Sequence, residues 1–227
     1  MRLIITRPED DALALKAKLE SRGHTAILAP LLKIVPRVGA YIPPLAYQFI
    51  CATSANALKY LQVEDRLKTT PLLAVGPQSL SAAREQGFHH VEVHGGDVHG
   101  LASHAAANFD PKKGPVLYLS GAETSADLQA ILMADGFAVE RVILYDAVSQ
   151  TPQDIAGSLK GADGVLLYSP RSARLWSELM SGAGLETAAM LPIYYCLSEN
   201  VAKALPRTWQ KCVAKTPDEA AMLALLD

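Results

Sequence analysis

The chain has 227 residues, half of them hydrophobic and 19% charged, with a formal net charge of −2. That length fits one large domain or two small ones and buries a core easily. The near-neutral charge argues against a general nucleic-acid or anionic-membrane binder, and a low aromatic share with abundant Ala and Leu favours helices packed on sheets over an all-β fold.

Short β-rich runs alternate with amphipathic helical runs. Arg2–Thr6 reads as a strand. Glu9–Arg22 reads as a helix, with acids in its first turn, Leu13, Leu15 and Leu19 as its main apolar residues and Gly23 as its stop. Thr25–Leu28 is the next strand, and Tyr47–Cys51 is a strand leading to a helix over Ala55–Leu61. Leu72–Val75 leads to a helix over Gln78–Gln86, stopped by Gly87. Val116–Leu119, Val139–Leu144, Val165–Tyr168 and Ile193–Cys196 read as further strands, each near a helix, and a last helix starts at about Asp218. This alternation predicts parallel sheets covered by helices.

The three cysteines lack CxxC spacing, and Cys51 and Cys196 read as core residues of apolar strands. The N-terminal run Leu3–Ile5 is too short for a signal-peptide core. The longest apolar stretch, around Ala188–Leu197, falls short of the roughly 20 residues that span a bilayer. A reduced, soluble, cytoplasmic protein is expected.

The sequence also repeats itself. Leu3–Ile5, a helix and Gly23 align with Val116–Tyr118, a helix and Gly136, at a spacing of 113 residues. Phe49–Ala57 aligns with Gly164–Ser172, and Ala74-Val75-Gly76 aligns with Tyr195-Cys196-Leu197. Three pairs in one order, about half the chain apart, predict two diverged copies of one α/β unit.

Thr53-Ser54-Ala55-Asn56 ends a strand and opens a helix, and Ser169-Pro170-Arg171-Ser172 repeats the arrangement. In open α/β sheets ligands bind beyond the carboxyl ends of strands, where helix N-termini offer backbone N–H groups suited to carboxylate or phosphate. The same serines would equally serve as ordinary N-caps. Gly76-Pro77-Gln78-Ser79 is a third strand-to-helix junction, but it is neither a Walker loop nor GxGxxG, so nucleotide binding has no positive support. Five of the six histidines (His89, His90, His94, His99, His104) fall close together without a Cys or HExxH pattern, and they read as a solvated surface with no metal. Tyr145 ends the strand Val139–Leu144, and its counterpart in the other copy is Leu32. A strand tyrosine is usually a packing residue with its hydroxyl at the rim.

Taken in order, Ile5-Thr6-Arg7-Pro8, Thr53-Ser54-Ala55-Asn56-Ala57, Ala74 to Ser79, Val116 to Gly121, Tyr145-Asp146-Ala147, Tyr168 to Ala173 and Thr216-Pro217 resemble the uroporphyrinogen-III synthase family across the whole chain. The resemblance implies two similar flavodoxin-like or Rossmann-like domains, each a parallel sheet flanked by helices, joined by a two-stranded linker, with the active site between them. On this sequence the first domain would be residues 1–35 plus 149–227 and the second 38–144, with crossing strands near Ile34–Arg37 and Tyr145–Ser149.

The resemblance also implies a cofactor-free lyase. It would close linear hydroxymethylbilane into uroporphyrinogen III, with loss of water and inversion of ring D. Hydroxide leaves the hydroxymethyl carbon on ring A, the substituted carbon of ring D attacks the resulting azafulvene, and a spiro intermediate rearranges. The enzyme then mainly positions its substrate and excludes water. One proton donor helps hydroxide leave, and Tyr145 matches the family's tyrosine; a phenol stays protonated at neutral pH. The substrate's eight carboxylates would meet helix-start N–H groups, the hydroxyls of Thr6, Ser54, Ser79, Ser120 and Ser169, and Arg7 or Arg171. Asn200 stands where the family has a threonine in the C-terminal copy, and Leu197 replaces the glycine before it. Partners implied are the small-molecule substrate and a transient contact with the enzyme supplying it; no nucleic acid or membrane is implied, and a monomer is expected. Two other readings remain: a non-catalytic two-domain protein closing on a small anion, and a flavodoxin-like phosphate or nucleotide binder. The missing export signal weakens the first, and the missing glycine-rich fingerprint the second.

Overall fold

The computed structural model describes residues 1–94, 97–124 and 126–227. The chain runs β1 (Arg2–Ile5), α1 (Glu9–Ser21), β2 (Thr25–Leu28), β3 (Leu32–Pro36), β4 (Phe49–Ala52), α2 (Ala55–Lys59), α3 (Asp65–Lys68), β5 (Leu72–Ala74), α4 (Pro77–Glu85), β6 (Val91–Val93), α5 (Val98–Asn108), β7 (Val116–Gly121), α6 (Leu128–Ala134) and β8 (Val139–Ser149). It continues with α7 (Ile155–Leu159), β9 (Gly164–Leu167), α8 (Pro170–Gly182), β10 (Ile193–Cys196), α9 (Glu199–Lys203), β11 (Lys211–Val213) and α10 (Glu219–Leu223). Among the described residues no helix is long and apolar enough to cross a membrane. All three cysteines are free.

The chain divides into two compact units, Met1–Lys33 with Val148–Asp227, and Ile34–Ala147. The first contains a five-stranded sheet in the order β11-β10-β9-β1-β2, with every neighbouring pair parallel. The second is built on a sheet in the order β3-β8-β7-β4-β5-β6, parallel from β8 to β6. The bonds Gln150 N–H to Leu31 O and Arg37 N–H to Leu144 O flank the β3–β8 pair in opposite chain directions, the pattern of antiparallel neighbours.

The two sheets are copies. If β1, β2, β9, β10 and β11 are matched with β7, β8, β4, β5 and β6, both read in the same spatial order. The registers agree as well: Leu3 pairs with Ala26 and Gly164, as Val116 pairs with Val139 and Phe49. The helix ends agree too. Gly23 at φ 80° and Gly136 at φ 90° take the left-handed backbone that glycine adopts freely. Gly23 N–H bonds Glu20 O and His24 N–H bonds Leu19 O, while Gly136 N–H bonds Met133 O and Phe137 N–H bonds Leu132 O. In one place the registers shift the match. Cys196 pairs with Leu167 as Ala74 pairs with Ala52, so Ser198, not Leu197, is the counterpart of Gly76. Both are helix N-caps, of α9 and α4.

Each sheet is buried on both faces, which is why its strands read as continuous apolar runs. In the first unit Ile4, Val165, Leu167, Tyr194 and Cys196 pack on one face with Trp176 and Met180 of α8; Leu3, Ile5, Leu166 and Tyr195 pack on the other with Leu15 and Leu19 of α1. Leu13, expected on the apolar stripe of α1, is 50% exposed; the buried stripe is Ala12, Leu15 and Leu19, at the spacing of one helix face. In the second unit Ile50, Ala52, Leu117 and Leu119 face α2 and α4, and Phe49, Cys51, Val116 and Tyr118 face α5 and α6.

The centre of the first core is a polar chain inside an apolar shell. Trp176 Nε1 donates to Tyr194 Oη at 3.1 Å, Tyr194 Oη donates to Ala189 O at 2.7 Å, and Trp209 stacks on the Tyr194 ring at 4.7 Å. Trp176→Ala removes the indole and leaves the Tyr194 hydroxyl short of one donor. A loss of about 3–5 kcal/mol is expected, read as a lower urea midpoint by circular dichroism, with Leu13→Ala staying within about 0.5 kcal/mol.

Candidate active site

In the second sheet the chain moves from β4 to β5 and β6 in one direction, then returns to lay β7 on the other side of β4. Strand order therefore reverses between β4 and β7, and the segments leaving their carboxyl ends diverge into a crevice. A cavity of about 390 Å³ lies there. Thr53 and Ser54 line it from the end of β4, Val75 from the end of β5, and Gly121, Glu123 and Thr124 from the end of β7. Asp97, Val98 and His99 at the start of α5 close another side, with Ala126 and Tyr145 completing the wall.

Tyr145 is placed there by an irregularity. Ser120 pairs with Ile143 but Gly121 pairs with Tyr145, so Leu144 is an extra residue on β8. A bulge of this kind re-aims the following side chain. Leu144 and Tyr145, though consecutive, both join the cluster over α2 and α4, and Tyr145 is 8% exposed. Its ring lies on the bare Cα of Gly121: a Cβ there would come within 2.6 Å of Tyr145 Cζ and 2.9 Å of its Oη. The backbone around the bulge is tied on both sides. Ala122 N–H donates to Tyr145 O at 2.9 Å. Arg141 donates from Nε to Ser120 Oγ at 2.8 Å and from Nη2 to Gly121 O at 2.9 Å and Ala122 O at 3.0 Å. Arg37 holds Asp146 in a two-bonded pair at 2.7 and 2.8 Å, which keeps the Asp146 carboxyl below the usual carboxylate range.

Polar groups share the cavity with the phenol. Thr53 Oγ1 and Tyr118 Oη are 3.3 Å apart, and burial raises the Tyr118 phenol above its ordinary pKa against smaller opposing effects from Thr53 and Arg141. Ser54 caps α2 by accepting from Asn56 N–H at 3.2 Å. Asp97 caps α5 by accepting from Gly100 N–H at 2.9 Å, so its carboxylate serves the helix end.

Of the residues selected from sequence, Ser54 and Tyr145 line this cavity together. Ser120 and Ser79 belong to the same unit but are buried beside it: Ser120 is fully enclosed and bonded to Arg141, and Ser79 is the third residue of α4 with 4% exposure. The others gather at the equivalent strand ends of the first unit. Thr6 Oγ1 donates to Leu166 O at 2.8 Å across the β1–β9 pair, where strand order reverses in that sheet. Arg7 lies 4.6 Å over the Tyr168 ring and pairs with Asp11 and Glu219, each at 3.1 Å. Ser169 caps α8, accepting from Ser172 N–H at 3.0 Å, and Arg171 is in the first turn of that helix. Asn200 is exposed in the first turn of α9.

Sequence reading missed His99, Glu123 and Thr124. The signal for His99 was Asp97 as an N-cap; the loop after β7 carries no motif. A larger cavity of about 640 Å³ in the first unit is lined by Arg2, Leu28, Pro30, Gln150 and Ser158 among others, and by none of the selected residues. One group of metal-ligating atoms, from Glu92, His94 and His104, lies within 4.8 Å among the described residues.

Comparison with known proteins supplies the family. The family model described as uroporphyrinogen-III synthase HemD matches residues 14–224. No curated protein matches the chain. Among solved structures the chain is similar to uroporphyrinogen-III synthetase from Helicobacter pylori, with a TM-score of 0.62 at 15% identity over 100% of this chain and 98% of that one. It is also similar to a mutant uroporphyrinogen III synthase from Thermus thermophilus, with a TM-score of 0.54 at 16% identity over 100% and 97% of the two chains. The structural likenesses show the shared two-domain α/β fold. The family match covers nearly the whole length, and the chain belongs to the uroporphyrinogen-III synthase family, the cyclising lyases of tetrapyrrole synthesis.

Proposed function

We propose that this synthase protonates its departing hydroxyl from Tyr145, in the cavity at the carboxyl ends of β4 and β7. The substrate is hydroxymethylbilane. The phenol donates a proton to the hydroxymethyl oxygen of ring A, water leaves, and an electrophilic azafulvenium cation remains beside the phenolate. The substituted carbon of ring D attacks it; in the spiro intermediate the bond from that carbon to the ring C bridge breaks, the bridge re-forms on the unsubstituted α-carbon of ring D, which is thereby inverted, and the proton lost from that carbon restores the phenol. One observation carries the reading: a bulge and a glycine hold a phenol in a cavity at the strand-order reversal, where α/β sheets bind ligands. Thr53, Ser54 and Thr124 offer hydroxyls near it. The hydroxyls of Thr6, Ser79, Ser120 and Ser169, the guanidinium groups of Arg7 and Arg171, and the Asn200 amide are the remaining proposed carboxylate contacts, of which Thr6 and Ser120 would have to be uncovered and to exchange Leu166 O and Arg141 for the substrate. Arg7 would have to exchange Asp11 or Glu219 for a substrate carboxylate. A reduced cytoplasmic setting, monomeric and without cofactor, with a transient contact to the enzyme supplying the labile bilane, completes the reading. The three free cysteines fit the reduced setting.

The purified chain incubated with hydroxymethylbilane is expected to yield isomer III faster than the bilane closes spontaneously. Isomer I alone, at the uncatalysed rate, would overturn the reading. Tyr145→Phe should lower kcat about 100-fold with little change in KM; an unchanged kcat removes Tyr145 as the donor. Gly121→Ala tests placement rather than chemistry. The new methyl displaces the Tyr145 ring, so kcat should fall towards the level of Tyr145→Phe, and the double variant should be no slower than Tyr145→Phe alone. Multiplicative losses would show that Gly121 acts on something other than Tyr145.

A further inference from the structure

β6 is the edge strand of the second sheet, and its ladder continues through His94, whose N–H donates to Ala74 O at 3.0 Å. Residues two apart on a strand face the same side, so Glu92 and His94 project together. α5 brings His104 onto them: the His94 and His104 rings stack with centroids 3.4 Å apart and planes 15° from parallel. Glu92 Oε2 lies 2.9 Å from His94 Nε2 and 3.8 Å from His104 Nε2. One carboxylate oxygen thus faces two imidazole nitrogens and is within hydrogen-bond reach of one. The imidazoles are 22% and 24% exposed and Glu92 is 61% exposed, so the group is open to solvent on one side.

We propose that Glu92, His94 and His104 bind a divalent transition-metal ion of the Zn²⁺ class. Two imidazoles and a carboxylate are the donors such ions take, whereas Mg²⁺ and Ca²⁺ take all-oxygen sets and Cu(I) takes sulfur. An ion between the three atoms satisfies both nitrogens, which one carboxylate oxygen does not. Three protein ligands leave a fourth position for water. Two rings on one ion cannot remain stacked, so binding rotates them apart, and their partial exposure leaves room for it. The Asn108 amide nitrogen donates to the His104 carbonyl at 2.9 Å and lies 3.3 Å from His104 Nδ1, so it sits beside the ring. The ion clips an edge strand to α5, the helix whose first turn walls the cavity. The site is separate from the proposed chemistry, so either reading stands without the other.

The test uses the full chain without a histidine tag, stripped with chelator and titrated with Zn²⁺ by calorimetry. A single saturable ion is expected. His94→Ala and His104→Ala should each weaken it by more than about 100-fold, beyond what the loss of an outer partner typically costs, while His89→Ala and His90→Ala leave it unchanged. Zn²⁺ should raise the Tm of the wild type and not of His104→Ala. Independently of any variant, the ring signals of His94 and His104 should shift in nitrogen-15 spectra on adding Zn²⁺ while those of His89 and His90 stay. No saturable binding, or binding undiminished in His94→Ala and His104→Ala, or ring shifts confined to the other histidines, overturns the site.

Discussion

Parallel strands cannot be joined by a tight turn; the chain must cross over the sheet before it can pair again. In the second unit it crosses one way to build β5 and β6, then the other way to build β7 and β8, so the β4–β7 pair separates crossovers that depart in opposite directions. The crevice at their carboxyl ends follows from that pairing and not from any one side chain. Both strands are fully buried, with Phe49–Ala52 and Val116–Gly121 enclosed throughout, so the rim of the crevice stands on a rigid base. What the sequence adds is the content of the rim: hydroxyls after β4, a glycine at the end of β7, and a tyrosine brought over that glycine by the extra residue on β8.

Arg141 explains why the rim holds its shape. Its guanidinium uses three donors on Ser120 Oγ and on the carbonyls of Gly121 and Ala122, next to the register shift. It therefore acts on the backbone beneath Tyr145, while its charge is placed over the Tyr118 ring at 5.7 Å. One acid of the cavity has a comparable explanation. Asp97 stands at a helix N-terminus, where a carboxylate is stabilised by the N–H it accepts and by the helix dipole. A slightly acidic chain that acts on a carboxylate-rich substrate is then less paradoxical than its formal charge of −2 implies. Net charge describes the average surface, and recognition of carboxylates depends on a few oriented N–H, hydroxyl and guanidinium groups.

The strands were readable because burial on both faces makes them short runs of apolar residues; Ile193–Cys196 and Thr25–Leu28 came out with the bounds seen in the structure. β6 and β11 were not, because as three-residue edge strands with exposed or half-exposed residues they have no apolar run to read. α5 escaped for a different reason: its buried face of Val98, Leu101, Ala102 and Ala105 is interrupted by histidines and a glycine that read as a polar surface. For the same reason His94 and His104 read as scattered side chains, since only the packing of α5 beside β6 brings them together. Tyr145 could be picked out by resemblance, but the bulge that turns it onto Gly121 is a matter of register, and register between β7 and β8 is absent from either strand alone.

Register also clarifies the duplication. Apart from β3, the chain consists of a two-strand piece (β1, β2), a three-strand piece (β4, β5, β6), a second two-strand piece (β7, β8) and a second three-strand piece (β9, β10, β11). Each sheet pairs a two-strand piece with the three-strand piece of the other repeat: β1 joins β9 and β7 joins β4. A repeat read along the chain is therefore not a folding unit. Two equivalent strand-order reversals result, and they have diverged in opposite directions. At β1–β9 the space near the strand ends holds Arg7 stacked on Tyr168 and bound to Asp11 and Glu219, a charge already compensated by its own chain. At β4–β7 a glycine stands at the position that Pro8, beyond the end of β1, takes in the other copy, and it admits a phenol; the strand that ends at Leu28 in one copy continues past Tyr145 in the other. One extension of a strand, with one missing Cβ opposite it, separates a self-neutralised junction from a cavity walled by a phenol.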